Sequence, residues 1–341
     1  MTWRRVLLSL LSAALGLLLI VALVEFSKID WRATLLQLRS VSWMSFGALV
    51  VLNALLILFS TLKWRSVDAV LRRSSDSTPS RAAAFAITSI GMAIGLVLPV
   101  QVGMTIARTL GTYFHGGAFR RGTVGTLLEQ SFDLLIVAFL AIASTLTWLT
   151  KGEALVWFAS AGTLTLLALL LAGPLIQAAR NFTTLDRFQN ANPHTRFGKL
   201  LRGLAELRHS GLLNTGLARR LLALSALRFT VIVLMSYQTA QAIGSAIPLW
   251  QFAAAVPFVV VVTVVAVTPG GVGINELTSV TALKVFGTPV FAAADWALAN
   301  RLLVMASCFV IAGLAAVFLL VRKLLLSKTG EWNRNSSPKE I

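Results

Sequence analysis

Long apolar runs separated by short basic segments dominate this chain. Several of the runs approach the ~20 residues that a helix needs to cross the hydrocarbon core of a bilayer. Two of them break at a proline, one at Leu98-Pro99 and the other at Thr268-Pro269. In lipid, the backbone groups freed by such a break must be satisfied by protein or by a wet cavity. The pattern therefore predicts an all-helical integral membrane protein with two interrupted segments.

The two breaks resemble each other in sequence. Leu98-Pro99-Val100-Gln101-Val102-Gly103-Met104 and Thr268-Pro269-Gly270-Gly271-Val272-Gly273-Ile274 both contain Pro-x-x-Val-Gly followed by an aliphatic residue. Broken apolar segments at corresponding places in two halves are typical of transporters built from an internal repeat. We therefore expect two membrane repeats, 1–149 and 150–321, followed by a cytoplasmic polar tail at 322–341.

Each repeat is expected to contain three full spans and one re-entrant helical hairpin, which enters the membrane and returns to the same side. The six full spans are predicted at 6–24, 43–62, 122–149, 154–176, 221–243 and 288–321. The re-entrant hairpins are predicted at 82–121 and 251–287. The segment from Lys63 to Arg81 is interpreted as a polar loop. The alternative is a bundle of ten ordinary spans with two proline kinks.

The distribution of charge favours the hairpins. The chain has 30 Lys and Arg residues against 13 Asp and Glu, and most of the basic residues lie between apolar runs. Cytoplasmic loops carry the excess of Lys and Arg in membrane proteins. The basic segment 177–220 and both termini lie inside the cell only if each hairpin returns to the side of the membrane from which it entered. The repeat is then inverted, and the two hairpin tips approach each other near the midplane.

Composition excludes several classes of protein. A chain that is 57% hydrophobic and 13% charged cannot hide its apolar surface as a soluble domain. The net charge of +17 follows from membrane topology, so we predict no nucleic-acid partner. One cysteine and three histidines without ligand spacing predict no metal or other cofactor. No phosphate-loop, serine-hydrolase or zinc-protease motif occurs, which indicates a protein that is not an enzyme.

Charged residues within apolar segments are the candidate chemistry. Glu129 and Asp133 lie four residues apart, on one helix face and near the expected midplane. Arg228 and Arg301 are their natural partners. These charges either fix helix packing or line a polar path for a lipid headgroup, and both interpretations stay open.

The hairpins supply the remaining candidates for that path. Glu276 follows the second break, where it either caps a helix or belongs to a polar site. Arg108 follows the first break and is either a phosphate contact or a further cytoplasmic charge. Gln101 and Asn275 hold neighbouring places. The residues that are predicted to form the breaks themselves are Pro99, Gly103, Pro269, Gly270, Gly271 and Gly273.

These motifs resemble the lysylphosphatidylglycerol synthase transmembrane-region family, the flippase part of the multiple peptide resistance factor and its stand-alone relatives. The resemblance rests on 98–103, on Glu129-Gln130-Ser131-Phe132-Asp133, on 269–276 and on Ala299-Asn300-Arg301. Its most specific piece is Gly-Gly-x-Gly-x-x-Glu. Family members often carry arginine or aspartate after the first Pro-x-x-x-Gly, where this chain has Met104-Thr105.

The resemblance implies a bacterial or archaeal cytoplasmic-membrane protein with two re-entrant elements that moves lipids between leaflets. The soluble aminoacyltransferase domain of larger members is not seen after the last span, so we expect no lipid synthesis. The expected substrate is a phospholipid or a polyprenyl-type lipid with an anionic headgroup. The alternatives are a small-solute secondary transporter and an accessory subunit of a lipid-modifying glycosyltransferase. A second copy of the chain and a lipid-modifying enzyme are candidate partners.

Overall fold

The computed structural model describes residue 25 and the ranges 37–72, 77–98, 100–181, 214–265 and 268–328. The expected span at 6–24, Pro99, most of the segment 177–220 and the residues after 328 lie outside the described residues. Within these ranges the secondary structure is helical and contains no strand. The all-helical fold class is thereby confirmed.

Nine α-helices carry the described fold. They are α1 (Trp43–Leu71), α2 (Arg81–Val97), α3 (Val100–Phe114), α4 (Phe119–Leu149), α5 (Ala154–Asn181), α6 (Thr215–Ala242), α7 (Leu249–Val265), α8 (Ile274–Val285) and α9 (Val290–Lys328). A 3-10 turn, Pro269–Gly271, lies between α7 and α8. Side-chain oxygens of Ser42, Ser80 and Asn214 cap the first turns of α1, α2 and α6 by accepting backbone N–H bonds.

Four of the described helices are long and apolar enough to cross a membrane. They are Trp43–Leu71, Phe119–Leu149, Ala154–Pro174 and Val290–Arg322. Helix α6 has comparable length but carries Arg219, Arg220 and Arg228, and it is not among the four. Helices α2 and α7, each 17 residues long, are apolar but shorter.

Two helices continue beyond the ends of the membrane spans that the sequence predicts. Helix α1 does not end at 62 but continues to Leu71, because Trp64, Val67 and Leu71 extend its apolar side past Lys63. Helix α9 continues past the expected end of the last span at 321 to Lys328.

Helices α2 and α3 pack side by side in opposite directions and form the first hairpin. Gly91 faces Ala107, Gly103 faces Gly95, and Gly111 faces Ile87 across the contact. A Cβ atom on Gly103 would lie 2.5 Å from the backbone nitrogen of Gly95. Glycine therefore lets the two backbones approach closely, as small residues do between membrane helices.

Helix α7, the turn at Pro269–Gly271 and α8 form the second hairpin. Gln251 Nε2 donates to the carbonyl oxygen of Phe286 at 2.8 Å, and Thr263 Oγ1 bonds Asn275 Oδ1 at 2.8 Å. These pairs show that α7 and α8 are antiparallel. Gly270, Gly271 and Gly273 have φ angles of 57°, 70° and 80°, which L side chains adopt only with strain.

The helix contacts keep their pattern when the two halves are exchanged. If α1, α2, α3 and α4 are matched to α6, α7, α8 and α9, the α2–α9 contact becomes the α7–α4 contact. In the same way α3–α4 becomes α8–α9, and α1–α9 becomes α6–α4. The matched helices α1 and α6 pack directly on each other. The described chain thus contains an internal two-fold repeat of helix packing.

Helices α1 and α6 run in opposite directions. Leu56 packs in the region of Val231 and Met235, whereas Val67 packs near Leu221, eleven residues further along α1. The end of α1 therefore lies beside the start of α6. Because α2 follows the end of α1 and α7 follows the end of α6, the two hairpins enter the bundle from opposite ends.

The two breaks meet inside the bundle. The backbone N–H of Gly270 donates to the carbonyl oxygen of Leu98 at 3.1 Å, and a Cβ on Gly270 would lie 2.4 Å from the Leu96 oxygen. The hairpins thus enter from opposite ends and touch at their tips. The second hairpin supplies the donor and the first hairpin supplies the acceptor of the hydrogen bond between the two breaks.

Candidate functional site

A buried cluster of charges lies where α1, α3 and α4 meet. Lys63, Arg108 and Glu129 have side chains that are 0%, 0% and 1% exposed, and we call these three residues the inner cluster. Glu129 Oε1 lies 3.1 Å from Lys63 Nζ, and Glu129 Oε2 is paired with Arg108 Nη1. Ser60 Oγ donates to Glu129 Oε1 at 3.2 Å. One carboxylate thus holds two cations from two other helices.

Arg108 is fixed by more than its carboxylate. Its Nη2 donates to the backbone oxygen and the hydroxyl oxygen of Ser60, both at 3.0 Å. Its Cζ lies 5.2 Å from the centroid of the Trp64 ring, within the range of a cation–π contact. The Nε atom has no hydrogen-bond partner among the described residues.

An outer pair extends the cluster toward α6. Asp133 is paired with Lys63 through Oδ1, and its Oδ2 lies 3.1 Å from Arg228 Nη1. Lys63 also donates to Ser225 Oγ at 3.3 Å. The Asp133 and Arg228 side chains are 14% and 19% exposed, so this pair is more accessible than the inner cluster.

The inner cluster and the outer pair together contain three cations and two carboxylates. This leaves one positive charge in excess at neutral pH. An unbalanced charge in a membrane protein is costly and normally faces water, a ligand or a further partner. The arrangement is therefore suited to an additional anion.

The outer pair opens into a cleft of about 130 Å³ between the two halves of the bundle. Its polar side includes Gln101, Arg108, Glu129, Gln130, Asp133 and Arg228, and its apolar side includes Met92, Met104, Leu134, Ile232, Val260 and Val264. Helices α1, α2, α3 and α4 contribute from the first half, and α6 and α7 from the second. The lining of the cleft thus combines charged side chains with apolar ones from both halves of the bundle.

A second set of charges lies at the second break. Glu276, 3% exposed, accepts a hydrogen bond from the Gly273 backbone N–H at 2.6 Å and so caps the start of α8. Its Oε1 lies 3.7 Å from Arg301 Nε, and Arg301 Nη1 donates to the Gly270 carbonyl oxygen at 2.8 Å. Arg301 therefore connects α9 to the turn between α7 and α8, in which a backbone N–H donates to the carbonyl oxygen of Leu98.

The two halves carry opposite signs at matched places. In the first half, Arg108 on the hairpin pairs with Glu129 on the following long helix. In the second half, Glu276 on the hairpin lies near Arg301 on the following long helix. Each hairpin thus forms a charge pair with the next long helix, with the cation and the anion exchanged between the halves.

The structure brings most of the sequence-predicted residues together. Gln101, Arg108, Glu129, Asp133 and Arg228 line one cleft, and Asn275 bonds Thr263, which also lines it. Glu276 and Arg301 lie instead at the second break. The expected pairing of Arg301 with the acids of α4 is wrong, since Arg301 reaches the hairpin of its own half.

Sequence reasoning missed Lys63, which it assigned to a cytoplasmic loop. For Arg108 the sequence left open a phosphate contact or a further cytoplasmic charge. Both side chains are buried on Glu129. The apolar positions Trp64 and Val67, which continue the helical stripe past Lys63, were the signal that the residue lies within a helix. Within the described ranges, no three His, Cys, Asp or Glu side chains are grouped closely enough to hold a metal ion.

Comparison with known sequences identifies the family. The family described as Lysylphosphatidylglycerol synthase TM region matches residues 6–312, and the chain belongs to it. Neither a curated protein nor a solved structure matches the chain. Membership agrees with the apolar helices in identifying a multi-pass membrane protein with a lipid-related role.

Proposed function

We propose that this member of the lysylphosphatidylglycerol synthase transmembrane-region family moves a phospholipid or a polyprenyl-type lipid between the leaflets of the cytoplasmic membrane. The headgroup passes through the cleft while the acyl chains stay in the bilayer. No covalent step is required, so the activity is transport without catalysis. The observation that carries this proposal is the cleft itself, whose lining combines charged groups with one positive charge in excess and apolar side chains from both halves of the bundle.

The size of the cleft supports passage of a headgroup. A space of about 130 Å³ is large enough for a phosphate group. Arg228 presents a planar guanidinium that can bind two phosphate oxygens. Its partner Asp133 also contacts Lys63, so Arg228 can turn to an anion without leaving Asp133 unpaired.

The meeting of the tips supports the re-entrant arrangement. If both hairpins crossed completely from opposite sides, their tips would lie on opposite faces of a ~30 Å hydrocarbon core. The hydrogen bond of 3.1 Å between Gly270 and Leu98 instead requires the tips to share one depth. We therefore propose six full spans and two re-entrant hairpins in an inverted repeat, with both termini inside.

A vesicle assay tests the proposal. Purified protein is reconstituted with a fluorescent phospholipid, and the fraction of label reached by a membrane-impermeant quencher measures transfer between leaflets. We expect transfer with the wild-type protein, at least about tenfold slower transfer with Arg228→Gln because one charge-assisted contact is lost, and wild-type transfer with Arg220→Gln. Arg220 lies exposed on the same helix and controls for loss of charge alone.

Two outcomes would favour the alternative functions. Uptake of a small polar solute into sealed vesicles, without transfer of lipid, would indicate a secondary transporter. Absence of both activities in correctly folded protein would indicate an accessory subunit of a lipid-modifying enzyme.

A further inference from the structure

A second cavity, which we call the basic pocket, lies outside the cleft at the end of α1. It has a volume of about 120 Å³ and is bounded by the last turns of α1, the link at 77–80 and the first turn of α2. Its lining residues are Trp64, Arg65, Asp68, Ala69, Arg72, Thr78, Pro79 and Ala84. Nothing in the proposed transport path uses this cavity.

The basic pocket carries excess positive charge. Arg65 lies in the last turns of α1, and Arg72 directly follows the last residue of that helix. The one carboxylate among the lining residues, Asp68, lies 2.8 Å from Arg121 Nε on α4 and is therefore already paired. Arg65 and Arg72 also interact electrostatically with Asp68, so three arginines surround one carboxylate and positive charge remains in excess.

The two lining arginines have free hydrogen-bonding capacity. Arg65 uses Nη1 to donate to the Pro79 carbonyl oxygen at 2.9 Å, which holds the side chain against the wall of the pocket. Arg72 is exposed, and within the described part of the chain its side chain makes no hydrogen bond or ion pair. The Nε1 atom of the buried Trp64 also lacks a hydrogen-bond acceptor among the described residues.

Nearby aromatic side chains indicate that the basic pocket lies at the level of the lipid headgroups. The link at 77–80 contacts the α3–α4 turn, where Arg121 Nη2 donates to the Ser77 oxygen at 2.9 Å. Tyr113, Phe114 and Phe119 are 59%, 74% and 59% exposed at that turn. Exposed aromatic rings beside arginines are typical of the membrane–water boundary.

We propose that the basic pocket binds the phosphate of an anionic phospholipid from the adjacent leaflet. The two lining arginines can each donate to phosphate oxygens, and the apolar lining residues Trp64, Ala69 and Ala84 suit the glycerol end of the lipid. Basic pockets between membrane helices recognise anionic headgroups in this way. Free phosphate offers the same oxygens without an apolar end, so the experiment must distinguish the two.

The position of Trp64 suggests what the bound lipid is for. The Trp64 ring lines the basic pocket and also contacts Arg108, which lines the cleft. One ring therefore separates the two sites, and the basic pocket can hold a lipid before it enters the cleft. This loading role rests on the proposed function, whereas binding of the lipid does not.

Retention of lipid by the full-length protein in detergent tests the site. Native mass spectrometry with added phosphatidylglycerol or phosphatidylcholine measures how tightly each is held. We expect phosphatidylglycerol to be held more tightly, and Arg72→Gln to weaken its binding about fivefold, as expected for one arginine near a membrane surface. The control Arg220→Gln lies near the same end of the bundle, outside the basic pocket, and should bind as the wild type does.

Three results would overturn the assignment. They are equal binding by the Arg72→Gln and Arg220→Gln proteins, equal retention of the two lipids, and displacement of phosphatidylglycerol by millimolar inorganic phosphate. The melting temperature of each variant shows whether it is folded, and Arg65→Gln provides a second probe of the same site. Transfer between leaflets is not measured, so the basic pocket and the proposed function can fail separately.

Discussion

Gly270 lies so close to a neighbouring segment that a Cβ atom added to it would be 2.4 Å from the Leu96 oxygen. Its φ of 57° and its contact with the Leu96 oxygen leave no room for a side chain. Its amide and carbonyl groups bind Leu98 and Arg301 on two different helices. Three elements therefore depend on one residue that must be glycine.

Replacing Gly270 with alanine should lower stability and activity together. The positive φ costs of order 1–3 kcal/mol for a residue with a Cβ, and the clash with the Leu96 oxygen adds to that cost. Thermal melting in detergent measures the loss. The matched control is Gly313→Ala in α9, where a Cβ meets nothing within 4 Å and should be tolerated. Equal melting temperatures for the two variants would contradict the close contact of the hairpin tips.

The two acids of α4 differ in burial, and we expect one of them to stabilise the fold and the other to act in lipid transfer. Glu129→Gln leaves Arg108 buried without its carboxylate, so we expect a loss of about 3–5 kcal/mol of stability. Asp133→Asn removes the partner of Arg228, which is partly exposed, and should change the melting temperature little while stopping lipid transfer. Melting curves and transfer rates for both proteins check this. A stable Glu129→Gln protein, or an unstable Asp133→Asn protein, would reverse the assignment.

The elements that define this architecture are the two hairpins. Helix α2 is 17 residues long, or about 25 Å, and α1 is 29 residues long, or about 43 Å. A hairpin built on α2 therefore ends partway along the bundle, where the opposite hairpin meets it. The glycine contact between Gly95 and Gly103 allows two helices to fit where one span would otherwise lie.

The depth of the first tip is directly measurable. Val97 is 64% exposed at the end of α2, and a spin label attached there should lie near the bilayer midplane. We expect high accessibility to oxygen and low accessibility to a polar relaxation agent in electron paramagnetic resonance. A label at Glu153, exposed in the α4–α5 turn, provides the surface reference. A surface-like depth for the Val97 label would indicate that the first hairpin crosses the membrane completely.

At the scale of the whole molecule, the exchange of helix contacts between halves is the dominant feature. Because α1 and its counterpart α6 are antiparallel, the axis that relates the halves cannot run along the spanning helices. It must lie across them, which agrees with the inverted repeat that we propose. The opposite signs of the Arg108–Glu129 and Glu276–Arg301 pairs then make the two halves electrostatically different despite similar packing.

Loop orientation follows from this arrangement. In a Cys308→Ser background, a cysteine at Glu153 should react with an impermeant thiol reagent in intact cells. A cysteine at Asn192 should react only after the membrane is opened, because the basic segment around it is expected inside. Labelling of both residues, or only of Asn192, in intact cells would contradict the proposed topology.

The sequence by itself determined the class of protein, the two breaks and most of the charged candidates. Apolar runs, Pro-Gly breaks and charges in lipid are local features. The free energy of placing each of them in a membrane depends on composition and spacing. Glu129 and Asp133 were found because they are four residues apart, and the glycines because they follow a proline.

Only the tertiary structure decided which charges meet. Lys63 and Glu129 are far apart in the sequence, and Arg301 approaches Glu276 rather than the acids of α4 because α9 packs on α8. The hydrogen bond between Gly270 and Leu98 joins residues from different halves. Partner choice depends on which helices pack together and in which direction, and the periodicity of one helix carries no information about that.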